Sequence, residues 1–306
     1  MKALKCTLFL LFLSVLSARA QSDLLYTHFI YNKMAYNPGV TGSRGTPQFL
    51  ALYRNQWMGL DGAPRTGTFN AQIPFADRRN ALGVGLTSDK IGKVNNLDFD
   101  FTYAYHIPVG KANKLSLGIN ARIEQTKIDW DLANPLESGD DEIPSGQETA
   151  FTPNFGFGAY FFGEQYYIGV SAPRLLKNSL YLDRNFDSKT LDVTTFYVMG
   201  GWLFPVGASV EMAPSAMMTF NPSAPVDLDV NLNFIFMKSF WLGASYRLGD
   251  SVDGMIGYEF ENGLRFGVAV DNTLSDLEKL TQGSWEVMLG YTFKCKDCDV
   301  VHLRFF

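Results

Sequence analysis

Leu97-Asp98-Phe99-Asp100-Phe101-Thr102-Tyr103-Ala104-Tyr105-His106-Ile107 is the stretch that decides the fold. Its odd positions are all large and apolar, while its even positions are polar or small. In an extended chain successive side chains point to opposite sides, so one face of this segment wants hydrocarbon and the other wants water. The same rule sorts Val226, Leu228, Val230, Leu232, Phe234 and Phe236 from Asp227, Asp229, Asn231 and Asn233. It also sorts Leu115, Leu117, Ile119 and Ile123 from Ser116, Asn120, Arg122 and Glu124, and Trp285, Val287, Leu289, Tyr291 and Phe293 from Glu286, Gly290, Thr292 and Lys294. Several of these runs exceed the five or six residues usual in soluble sandwiches and reach the roughly 9–11 that a tilted membrane-crossing strand needs.

Working outward, fourteen such segments are expected: 48–57, 66–73, 81–88, 96–107, 113–125, 151–162, 165–172, 192–204, 208–220, 226–237, 240–248, 254–260, 264–271 and 284–294. Tight turns at 163–164, 205–207, 238–239 and 261–263 alternate with longer connections at 126–150, 173–191, 221–225, 249–253 and 272–283. Short turns on one side and longer loops on the other are the signature of an outer-membrane barrel, and an even strand number returns both chain ends to the periplasm. The expected fold is therefore all-β: a transmembrane, antiparallel, up-and-down barrel of about 14 strands. Beyond the first twenty residues no apolar run is long enough to cross a bilayer as a helix. Mid-strand glycines such as Gly118, Gly158 and Gly257 ease curvature or leave room in the lumen.

The ends of the chain read differently. Lys2 and Lys5 precede the apolar run Leu8–Leu16 and the small-residue pattern Ala18-Arg19-Ala20, which marks 1–20 as a secretory signal peptide. Cleavage after Ala20 leaves Gln21 first, with 23 basic against 31 acidic residues and a net charge of −8. That balance argues against nucleic acid as a partner. Residues 21–47 hold Tyr26, Phe29, Tyr31, Met34 and Tyr36, too aromatic to remain solvated, and are open to three fates: filling the lumen, capping its periplasmic mouth or docking on a periplasmic protein. The barrel is expected over 48–294 and a C-terminal tail over 295–306.

Chemistry-bearing motifs are weak. Cys295 and Cys298 suit a local disulfide in an oxidising envelope better than a metal site, since only His302 lies nearby. The acidic stretch 126–150 lacks the spacing of an EF-hand and reads as a solvated loop. No Gly-x-Ser-x-Gly turn or zinc-protease helix occurs, and His106 reads as a girdle residue, so neither an enzyme nor a cofactor is expected. The inward set, including Arg54, Asp98, Asp100, Arg122, Glu124, Asp229, Arg247, Glu259, Arg265 and Glu286, mixes signs and should pair within the barrel rather than line a selective pore. Trp57, at a strand end, reads as an interfacial anchor.

Three pieces in order, Tyr31-Asn32-Lys33-Met34-Ala35-Tyr36-Asn37-Pro38-Gly39-Val40-Thr41-Gly42, Leu52-Tyr53-Arg54-Asn55-Gln56-Trp57 and Asp61-Gly62-Ala63-Pro64, followed by Ser88-Asp89-Lys90-Ile91-Gly92, resemble the PorP/SprF family of the Bacteroidetes type IX secretion system. The chain departs from that pattern where Asn-Pro-Ala-Tyr-Ala-Gly becomes Asn37-Pro38-Gly39-Val40-Thr41-Gly42, and where a Pro-Arg-Tyr-Phe end becomes Leu303-Arg304-Phe305-Phe306. The resemblance implies a non-enzymatic outer-membrane component that docks or anchors secreted surface proteins, often gliding adhesins, and contacts periplasmic secretion or motility components. It marks Asn37, Pro38, Gly42, Arg54, Gln56, Trp57, Gly62 and Pro64 as candidate partner contacts. The competing readings are a plugged transporter for hydrophobic molecules such as fatty acids, or a diffusion porin.

Overall fold

The computed structural model describes residues 24–132, 145–176, 194–222 and 224–294. The expected signal peptide 1–20, Cys295, Cys298, His302 and the C-terminal tail lie outside the described residues, as do residues 133–144 of the acidic stretch 126–150. Fourteen strands follow one another round a closed ring: β1 (Gln48–Asn55), β2 (Arg65–Pro74), β3 (Asn80–Ile91), β4 (Val94–Val109), β5 (Asn113–Asp129), β6 (Gln147–Phe162), β7 (Tyr166–Ala172), β8 (Phe196–Trp202, resuming at Phe204–Pro205), β9 (Val210–Phe220), β10 (Asp227–Phe236), β11 (Phe240–Arg247), β12 (Ser251–Glu259), β13 (Leu264–Thr273) and β14 (Ser284–Thr292). Every neighbouring pair is antiparallel, and β14 pairs with β1 from Gln48↔Thr292 to Asn55↔Trp285, which shuts the ring. Closure leaves no strand edge, the condition for placing backbone N–H and C=O groups in hydrocarbon.

Burial follows the alternation. On β4, Phe99, Phe101, Tyr103, Tyr105 and Ile107 face outward and are exposed, while Asp98, Thr102, Ala104 and His106 are buried inside. The outer face is apolar and aromatic all the way round, and the inner face carries the polar and charged residues, the inverse of a soluble protein.

The end of the barrel at which β1 begins and β14 finishes is closed by short connections, 75–79, 110–112, 163–165, 206–209, 237–239 and 260–263. In the first of these, Asp77 accepts from the backbone N–H of Arg79 and Asn80 and from the Asn80 amide, which holds its carboxyl below the usual carboxylate range. The opposite end, here the loop end, carries 56–64, 92–93, 130–146, 173–195, 221–226, 248–250 and 274–283. Length therefore does not alternate as cleanly as expected, because 92–93 and 248–250 are tight turns at the loop end. The expected loop 249–253 is a correction: Ser251 and Asp253 point inward and Val252 outward, so the period-two pattern starts β12 there.

Residues 24–47 occupy the lumen. Leu25, Tyr26, Phe29, Ile30, Tyr31, Tyr36 and Val40 are buried and pack with inward-facing Tyr160, Phe162, Tyr167, Tyr197, Met199, Met217 and Trp241 in one apolar cluster. Two short 3-10 turns, Lys33–Ala35 and Pro38–Val40, are the regular structure in this segment. The core thus sits on the barrel axis, where aromatic area removed from water offsets the cost of ordering an otherwise irregular chain.

Candidate functional site

The lumenal segment is bolted to the wall at three heights. Nearest the loop end, Glu286 of β14 accepts from the backbone N–H of Thr27 at 3.0 Å and of His28 at 2.9 Å, and from His28 Nδ1 at 2.7 Å. Arg54 of β1, directly across the seam from Glu286, donates to the Thr27 hydroxyl at 2.6 Å, pairs with Glu286 at 3.3 Å and grips Asp271 of β13. Thr27 returns its own hydroxyl hydrogen to Asp271 at 2.6 Å. All of these side chains are buried, so each charge is matched by an opposite charge and by directed donors, the condition under which a buried ion pair is tolerated.

Midway, Asn37 has the extended backbone of an N-cap, and its Oδ1 accepts from Gly39 N at 2.8 Å. Its Nδ2 donates to the carbonyls of Ala159 at 3.1 Å and Val170 at 3.4 Å, tying the turn to β6 and β7. Pro38 and Gly39 lie so close to β5 and β6 that a Cβ on Gly118 would overlap the Pro38 carbonyl, and one on Gly158 would overlap the Asn37 side chain. Toward the other end, His106 Nε2 meets the Thr41 carbonyl at 2.9 Å, and Gly42 N donates to Gln72 at 3.0 Å. Gly42 has φ +71°, and a Cβ there would overlap Ala81. His106 is therefore a lumenal clamp and not a girdle residue.

The eight residues marked in the sequence divide into two groups joined by Arg54. Asn37, Pro38 and Gly42 hold the segment inside the barrel. Gln56, Trp57, Gly62 and Pro64 shape the first connection at the loop end: Gln56 N donates to the Pro64 carbonyl at 3.0 Å, Gly62 has φ +76° and its carbonyl accepts from Gly92 N at 2.9 Å, and Trp57 N donates to Ser284 Oγ at 3.2 Å. Trp57, expected as a membrane anchor, lines a cavity of about 370 Å³ with Gln56, Pro64 and Pro38. Leu24 and Leu25 form part of its wall, so residues 24–47 run from the loop end down the lumen to β1.

Elsewhere the inward charges pair as expected. Arg122 takes Asp100 through two bonds, 2.8 and 2.9 Å; Arg247 takes Asp229 at 2.8 Å; and Arg265 takes Glu259 at 2.6 Å. Arg265 also lies 5.2 Å from the Tyr31 ring centre, and Lys33 lies 4.1 Å from that of Tyr167, so cations of wall and segment rest on each other's aromatics. Sequence reasoning reached Arg54 but missed Asp271, Thr27 and His28 as its associates. The pairing of β1 with β14, and the seating of a segment without periodicity, are absent from any local pattern.

Among solved structures the chain is similar to the Ralstonia pickettii toluene transporter TbuX, at 11% identity over 85% of this chain and 92% of that one, with a TM-score of 0.50. It is similar also to the Acinetobacter baumannii outer membrane protein Omp33, at 9% identity over 82% and 98%, with a TM-score of 0.46. At such identity the first likeness is one of barrel fold alone, and no curated protein matches the sequence. The model of the type IX secretion system membrane protein PorP/SprF matches residues 18–291, nearly the whole chain. This barrel, an outer-membrane protein, belongs to the PorP/SprF family of the type IX secretion system.

Proposed function

We propose that the protein is a docking or anchoring component: it holds secreted surface proteins at the loop end, outside the cell, and meets periplasmic secretion or motility components at the end where β1 starts and β14 stops. The observation that carries this reading is the filled lumen. A segment secured by Glu286, Arg54, Asn37 and His106 at successive heights fills the lumen with the chain's own residues, which favours the two ends of the barrel as the useful surfaces. The loop end supports attachment with its long connections and with the cluster Gln56, Trp57, Gly62 and Pro64. On this reading residues 1–20 direct export, and the tail 295–306 faces the periplasm with the short turns.

The transporter reading is weaker because carboxylates and guanidinium groups are among the residues lining the cavity, where a slot for fatty acid would be apolar. The test is an affinity tag within the 130–146 connection, followed by purification of the native complex in mild detergent. Recovery of a large secreted surface protein with periplasmic secretion components is the expected result. A barrel that carries fatty acid and cross-links to no protein would overturn the docking role.

A further inference from the structure

The short-turn end is not evenly charged. The connections 75–79 and 110–112, with the start of β5 beside them, carry Arg78, Arg79, Lys111 and Lys114, in a chain that is net acidic. Asp77 is the carboxylate within this group, and its oxygens take the backbone N–H groups of Arg79 and Asn80 and the Asn80 amide. Its acceptors are therefore committed to holding the turn. The charge that bears on Lys114 is that of Arg78, another cation. Farther round the same end the balance reverses, since the connections 163–165, 206–209, 237–239 and 260–263 hold Glu164 and Glu261 against Lys238.

Arg78 has φ +52°, a left-handed backbone that glycine or asparagine adopts with less strain. A long cation kept in such a backbone and set near a second cation opposes stability twice, which marks a position held for what it binds. The rim also has a step here. β3 starts at Asn80, opposite Tyr105, whereas β4 runs on to Val109, opposite Asn113. The overhanging part of β4 flanks the turn 75–79 and is tied to it by His106 N, which donates to the Arg79 carbonyl at 2.6 Å. Phe75, Ile107 and Val109 are exposed beside the step. The cations thus stand where the apolar belt ends, the depth at which acyl chains give way to phosphate.

We propose that this step in the rim binds the headgroup of one anionic phospholipid: Arg78, Arg79, Lys111 and Lys114 take its phosphate, and its acyl chains run along Phe75, Ile107 and Val109. Guanidinium groups pair with phosphate oxygens through two bonds at once, and each cation near a bilayer surface adds to the attraction. The apolar stripe beside the charges favours a lipid over an acidic peptide, which would leave that stripe unused.

The test titrates the full processed protein, in a detergent of neutral headgroup, with dioleoylphosphatidylglycerol, and counts the lipid retained by native mass spectrometry. Dioleoylphosphatidylcholine, which has the same chains and no net charge, is the control. One molecule of phosphatidylglycerol should be retained in preference. Arg78→Gly is the decisive variant, because glycine suits φ +52° and the turn keeps its shape while the charge goes. It should weaken phosphatidylglycerol binding about fivefold, and Arg78→Gly with Lys114→Gln about twenty-five-fold, each cation near the surface contributing about the same factor. Lys238→Gln, on a turn outside the basic pair, should leave retention unchanged, and heat-modified gel mobility establishes that each variant is folded. The proposal is overturned if the two lipids are retained alike, if the double variant keeps the preference, or if Lys238→Gln lowers it as much. It is overturned as well if hexaglutamate or inorganic phosphate displaces the lipid at equal concentration; the patch then belongs to an acidic protein segment or to a small anion.

Discussion

Gly118 shows how much of the architecture rests on single atoms. It is an ordinary strand position by sequence, but the Pro38 backbone passes where its Cβ would be. Gly118→Ala should therefore push the lumenal segment off the wall at a cost of about 1–3 kcal/mol, the usual range for overpacking. Limited proteolysis should then cut between 24 and 47, where the parent resists. Gly254→Ala is the control, because nothing lies within 4 Å of a Cβ there. It should leave the protection intact. Arg54 makes the electrostatic counterpart: Arg54→Leu leaves Asp271 buried beside an apolar side chain and should cost about 3–5 kcal/mol, read as a lower transition temperature in heat-modified gel mobility. Arg54→Lys keeps the charge but loses the fork that reaches Thr27, Glu286 and Asp271 together, so its transition should fall between the two.

At the scale of elements, the strands were legible and the segment inside them was not. Fourteen strands and their faces follow from period two because hydrocarbon outside and polar contents inside impose opposite demands on neighbouring residues. The start of β12 is hidden in the sequence because Gly254 interrupts the apolar set, so Val252 outward and Asp253 inward do not declare themselves as strand. His106 falls on the inward face by alternation, but its neighbour is not legible, because a polar ring near a strand end is as suitable for a girdle as for a lumenal contact. Residues 24–47 carry aromatics without periodicity, so their apolar character was plain but their destination was not. In the sequence Asn37 and Gly42 stand out by resemblance alone; that one caps a turn against β6 and β7 and the other takes positive φ follows only from the fold. Deleting 24–46 should convert a closed barrel into a conducting one in planar bilayers. A deletion variant that inserts and remains silent would mean that the wall side chains close the lumen by themselves.

The molecule as a whole is an inside-out object whose stability depends on the solvent around its outer face. Phe101 is 57% exposed near the middle of β4, within the apolar belt. Phe101→Arg should cost about 2–4 kcal/mol of folding stability in lipid vesicles, measured by denaturant titration, as charges at the bilayer midplane do in other barrels. The same change should matter less in short-chain detergent, which lets a guanidinium reach water.

Glu286 joins two parts of the structure that are far apart in sequence. It lies on the strand that completes the ring, facing Arg54 across the seam, and it also receives the backbone of Thr27 and His28. A ring that zipped shut while empty would seal a carboxylate in its wall with three of its donors missing. Seam and segment are thereby coupled in energy: whatever loosens one withdraws partners from the other, so the ladder that joins the chain's last strand to its first is also the lock on its own beginning.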